Sequence, residues 1–189
     1  MTAREHDEYS ALRATIRERG TARVCIFVSG IAAWTAATIA TAALASSPVA
    51  SLLPLLLLAC VFEAVFALHV GVERIGRYVQ VFHEGSGGSG RSGESGGSGG
   101  SVGWEHAAMA FGRPRGAATS DALFTLPFLL AALFNIAPAL LLNPIPTELI
   151  FVGGAHALFG LRLVVARIVA GRQRAIDLER FQRLKAELR

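Results

Sequence analysis

Two stretches of the chain, Val24 to Phe62 and Ala122 to Thr147, carry no Asp, Glu, Lys or Arg. A soluble domain of 189 residues cannot cover charge-free runs of that length with its own surface. A mean hydropathy of +0.48 with 52% apolar residues is likewise not the composition of a soluble domain. Each run is longer than the roughly 20 apolar residues that carry a helix across a bilayer. Cysteine is scarce: only Cys25 and Cys60 are present, which excludes a disulfide framework and a cysteine-based metal site. At a rise of about 1.5 Å per residue the two lie at different heights in their helices, so both read as packing residues. HExxH and GxSxG are absent, and no Gly-Lys-Ser/Thr follows the glycine-rich region. The sequence therefore offers neither an enzyme signature nor a cofactor motif. Alternating strand patterns are missing too, which leaves helices as the spanning structure.

Within the apolar runs lie two polar breaks, "SSPVAS" (46–51) and "NPIPTE" (143–148), with the proline and serine content of turns. They divide the chain into four spans, roughly 24–45, 52–72, 122–142 and 149–170. The expected fold is an all-α membrane protein, a four-span antiparallel transmembrane helical bundle with amphipathic cytoplasmic N- and C-terminal helices. Its parts are a cytoplasmic helix (1–23), a first transmembrane hairpin (24–72), a cytoplasmic loop (73–121), a second hairpin (122–170) and a cytoplasmic C-terminal helix (171–189). The polar 23 residues before span 1, and its length, argue against a cleavable signal peptide. Arginines precede span 1 (Arg4, Arg13, Arg17, Arg19, Arg23), occupy the central loop and fill the C-terminal tail, while both hairpin turns lack them. That asymmetry places both termini in the cytoplasm of a multi-pass cell (inner) membrane protein. The pI of 9.8 follows from this topology and suits anionic lipid headgroups. No aromatic interleaving or nucleic-acid motif accompanies the charge, so no nucleic-acid partner is expected.

Tyr9, Leu12 and Ile16 recur at helical spacing before span 1, as do Leu178, Phe181, Leu184 and Leu188 after span 4. These are two solvated helices, or two helices whose apolar stripes pack on each other or on a partner. Glu179 and Arg183 have the favourable i,i+4 order. Residues 85–101 are Gly and Ser apart from Arg91 and Glu94, a composition that reads as a disordered tether. A weak repeat aligns "AVFALHVGVERI" (64–75) with "ALFGLRLVVARI" (157–168), six of twelve positions being identical. Small residues on span 1, Gly30 among them, and Gly153, Ala157 and Gly160 on span 4 suit close helix approach in lipid.

The polar residues inside the spans carry the functional question. Glu63 is the twelfth residue from Leu52, near mid-depth, where an ionised carboxylate costs at least about 2.5–3.5 kcal/mol. It is expected to face the bundle interior, compensated by Arg162, His156 or both. Counting from the turn puts Arg162 about two residues deeper than Glu63; the repeat instead puts His156 level with it and Arg162 level with His69. Glu63, His69, His156 and Arg162 thus form one expected intramembrane cluster. Glu73, Arg77 and Arg167 form a membrane-boundary stripe, the first two sharing a helical face with His69. Across the tether, His83, Glu84, Glu105 and His106 supply two imidazoles and two carboxylates, a donor set for zinc or iron, but Trp104, Ala108 and Phe111 favour an interfacial segment whose polar groups merely face water. Asn135 reads as a packing contact that has a hydrogen-bonding capacity to spare.

Taken together, these features indicate a non-enzymatic membrane subunit or scaffold, acting through helix packing and charged cytoplasmic tails. Its partners would be the lipid bilayer, a further copy of itself or another membrane protein. A small oligomeric proton- or ion-coupled transporter using Glu63 is the alternative, with a membrane metalloprotein behind it.

Overall fold

The computed structural model describes residues 3–84 and 119–188, with Glu84 and 119–124 described by their backbone alone. All regular structure among them is helical: α1 (Ala3–Leu44), α2 (Leu52–Val79), α3 (Thr119–Leu141) and α4 (Pro146–Glu187). A 3-10 turn, Pro48–Ser51, leads into α2, and a π turn, Gln80–Glu84, ends it. Three helical stretches, Ala3–Leu44, Pro48–His83 and Pro146–Glu187, are long and apolar enough to cross a membrane. The described apolar part of α3, Thr125–Leu141, is shorter. The tether, Glu105 and His106 lie outside the described residues.

No helix breaker separates the N-terminal helix from span 1, and α1 runs through Gly20 as one helix of 42 residues. For the same reason α4 continues from the apolar stretch into the C-terminal tail. α3 stays helical through Pro127 and Pro138, although each lacks the N–H that the helix ladder uses. The two turns are built by local capping. The Ser47 hydroxyl accepts from the Val49 N–H at 3.3 Å, opening the 3-10 turn. Pro146 begins α4, and Glu148 reaches back to accept from the Ile145 N–H at 3.2 Å. Asn143 takes the left-handed conformation (φ 52°) that asparagine tolerates in such corners. The Ser47 hydroxyl also donates to the Glu148 carboxylate at 3.3 Å, so one acid serves both turns.

The chain forms two compact units. Of the described residues, the first holds the ends of the helices, 3–20, 69–84, 119 and 170–188. The second holds 21–68 and 120–169. In the second unit Leu58, Phe62 and Val65 of α2, Phe128 of α3, and Phe159, Leu163 and Ala166 of α4 make the core, with Ile31 and Trp34 of α1 packed against it. Phe62 meets Phe128 and Phe159 edge-on, at centroid distances of 5.2 and 6.1 Å, the geometry ring quadrupoles favour. Gly30 is the buried point of α1: a Cβ there would stand 2.5 Å from both Val61 methyls. Gly153 and Gly160, by contrast, have open space where a Cβ would go, so the close approach expected there is not made within the described chain.

In the first unit the stripes of both terminal segments find partners on the end of α2. Tyr9 packs on His83 (5.7 Å), and Phe181 meets Tyr78 edge-on (5.7 Å). Lys185 donates to the Val81 carbonyl in the π turn. Leu184 and Leu188, the outer part of the C-terminal stripe, remain exposed.

Candidate functional site

Glu63 and Arg162 meet. The Arg162 Nη2 donates to Glu63 Oε2 at 2.7 Å, and its guanidinium lies over the Phe62 and Phe66 rings at 5.8 and 5.4 Å. Turn counting, which sets the two about two residues apart, agrees with this contact more closely than the repeat, which sets them six apart. The position on the helix differs from expectation: the side chains are 48% and 39% exposed, so Glu63 lies on the surface of the second unit and not in its interior. The interior positions of α2 go to Leu58, Phe62 and Val65, which fill space without a polar group to satisfy. Around the pair the surface is apolar, with Leu56 at 62% and Leu158 at 68% exposure.

The interior of the second unit holds a neutral polar node instead. Asn135 is fully buried; its Nδ2 donates to the Ser51 carbonyl at 2.8 Å and stands 3.1 Å from His156 Nε2. His156 Nδ1 lies 2.8 Å from the Val152 carbonyl, which accepts and therefore requires a proton on Nδ1. Nε2 is then the acceptor for the asparagine amide. Thr38 of α1 approaches the Asn135 Oδ1 at 3.4 Å while donating to Trp34 O at 2.9 Å. His156 therefore serves Asn135, not Glu63. It lies six residues before Arg162, about 120° round the helix at 100° per residue. Asn135 proves to be a hydrogen-bonding hub as well as a packing residue. Its sequence signal was its type, the one amide in an otherwise apolar span.

Around Glu73 and Asp177 the first unit builds an ionic network. Glu73 takes Arg174 in two-point contact (2.5 and 3.0 Å), with His69 Nε2 at 3.5 Å and Arg77 Nη1 at 3.7 Å. Asp177 takes Arg77 at 3.2 Å and Arg74 at 3.3 Å, and Gln173 donates to its other oxygen at 3.3 Å. The Arg77 side chain is only 4% exposed and connects both acids. Burial pushes the Asp177 pKa up, but hydrogen bonds and charge from Arg74 and Arg77 outweigh it and hold the carboxyl below its ordinary value. The Tyr78 hydroxyl donates to Glu8 at 2.8 Å; burial first, and then that bond, raises its pKa. Asp177 carries no sequence flag, since "RAIDLER" resembles a solvated helical face.

The expected intramembrane cluster is thus distributed: Glu63 with Arg162, His69 with Glu73, His156 with Asn135. Of the boundary stripe, Glu73 and Arg77 join, whereas Arg167 lines a groove of about 220 Å³ with Thr125, Leu126, Leu129, Gly160, Leu163 and Val164. His83 is buried against Tyr9 and Tyr78, its Nε2 3.9 Å from Glu8. The Glu84 side chain, Glu105 and His106 lie outside the described residues. Among the described residues no group of three or more His, Cys, Asp or Glu is placed to hold a metal ion. What these arrangements do chemically is fix helices to one another through neutral and ionic bonds. Comparison with protein-family models, with curated proteins and with solved structures finds no match.

Proposed function

We propose that the chain is a non-enzymatic multi-pass subunit of the cell membrane. Its four helices cross the bilayer as four spans, both termini lie in the cytoplasm, and it works by lateral association through the face of α2 and α4 that bears Glu63 and Arg162. The lengths of α1, α2 and α4 support three of these spans, and the arginine distribution supports their direction. The single observation that carries the association is the half-exposed ion pair among exposed leucines. Charged groups at mid-depth cost about 2.5–3.5 kcal/mol each on insertion scales, and pairing removes only part of that when hydrocarbon lies on the open side. A polypeptide covering the pair removes the rest. Among the described residues the aromatic core of Phe62, Phe128 and Phe159 offers no polar path through the second unit, so transport would require a pathway between chains.

The test is mild extraction from native membrane followed by mass measurement. The expected result is an assembly larger than the 19.9 kDa chain. A lone chain in a native-like extract, or proton flux through reconstituted monomers that Glu63→Gln abolishes, would overturn the reading. Cysteines introduced at Ser47 and Thr2 should label from the outside and the inside respectively.

A further inference from the structure

We infer that the occupant of the Glu63–Arg162 face is a second copy of this chain, in a two-fold dimer. The inference rests on the membrane reading above and names the partner that reading leaves open. The face carries one anion and one cation on neighbouring helices, joined at 2.7 Å. On α2, Leu56, Cys60 and Ala67 share the outward side with Glu63 at helical spacing, and all are exposed. On α4, Leu158 and Val165 stand in the same relation to Arg162 and are exposed too. The patch is therefore an apolar field with a neutral pair of opposite charges at its centre.

Membrane insertion restricts how two copies meet. Both enter with the same topology, so a two-fold axis in the membrane plane, which would invert one of them, is excluded. The remaining axis lies along the membrane normal. Rotation by 180° about it exchanges left and right on the facing patch and leaves depth unchanged. Glu63 of one copy then stands opposite Arg162 of the other, and Arg162 opposite Glu63. Two half-satisfied pairs close into a ring of four alternating charges, shielded from lipid by the apolar residues around them. Such a self-complementary patch is what an isologous interface requires. A partner of different sequence would have to present the same two charges, in mirrored order and at the same depth. The second copy does so by symmetry alone.

Symmetry also supplies a test that leaves the fold intact. The charge-swapped chain, E63R/R162E, keeps its internal ion pair and its own self-complementarity. Against the wild type, however, it sets like charge against like. The two forms, with different tags, are co-expressed in one membrane and captured through one tag after mild extraction. Wild type should capture wild type and E63R/R162E should capture E63R/R162E. Mixed capture should fall at least about tenfold, equivalent to about 1.4 kcal/mol. The single variants E63R and R162E give the converse: each should fail to capture itself, and the two together should associate. Mixed capture equal to self-capture, or no change among the single variants, would overturn the dimer. A different protein retained by the wild type in place of a second copy would overturn it while leaving lateral association standing. A chain recovered alone in every extract would remove both.

Discussion

The first unit buries ions and the second buries an amide. In the first, Arg77 is 4% exposed and lies between Glu73 and Asp177, each of which has further cationic partners. In the second, the fully buried polar group is the neutral Asn135, while the ionic pair Glu63–Arg162 is left half exposed. A charge removed from water needs several partners to offset its desolvation, and only the arginine-rich ends of the helices have enough of them. An amide needs two or three ordinary hydrogen bonds, which Ser51, His156 and Thr38 provide. The ion pair of the apolar unit therefore lies outside its core.

Breaking the ionic side of this contrast should have the largest effect. Asp177→Ala leaves Arg77 buried with its main partner gone and should cost about 3–5 kcal/mol, read as thermal unfolding in lipid nanodiscs. Asp177→Asn tests the charge itself. Because the folded pKa lies below the ordinary value of 3.8, the wild type holds this contribution above that pH and loses it as pH falls through the folded value. The asparagine variant should lack that acid-dependent loss, and identical acid profiles would deny the network its role. In the second unit, Gly30→Ala drives a methyl into Val61 and should cost about 1–3 kcal/mol by overpacking. Unchanged stability there would mean that α1 is not held at this contact. Asn135→Leu removes the donor to Ser51 and His156; about 1–2 kcal/mol is expected, in line with hydrogen bonds between membrane helices. The smallest effect belongs to Arg183→Ala, which breaks an exposed i,i+4 pair with Glu179 and should change stability by about 0.5 kcal/mol or less.

Depth was legible in the sequence and azimuth was not. Residues count out along a helix at about 1.5 Å each, so the polar breaks at 46–51 and 143–148 marked the turns and placed Glu63 within reach of Arg162. Which side of α2 carries Glu63 could not be read in the same way, because "LLPLLLLACVFEAVFAL" is apolar on every face. Depth and shared direction with α4 point Glu63 inward, but the structure gives the interior positions to Phe62 and Val65. The repeat sets His156 level with Glu63, yet repeats between apolar segments match by composition as readily as by descent. Asp177 stayed hidden because a buried acid and a solvated one look alike when both sit among arginines.

The His156 ring gives the molecule a built-in spectroscopic reporter. Its two nitrogens are inequivalent because a carbonyl in its own helix takes one and an amide from α3 presses on the other. In a nitrogen-15 spectrum of the folded protein, one of five histidines should show a protonated Nδ1 and a hydrogen-bonded bare Nε2. Drift of that signal would register the parting of α3 and α4 before any loss of helix content did.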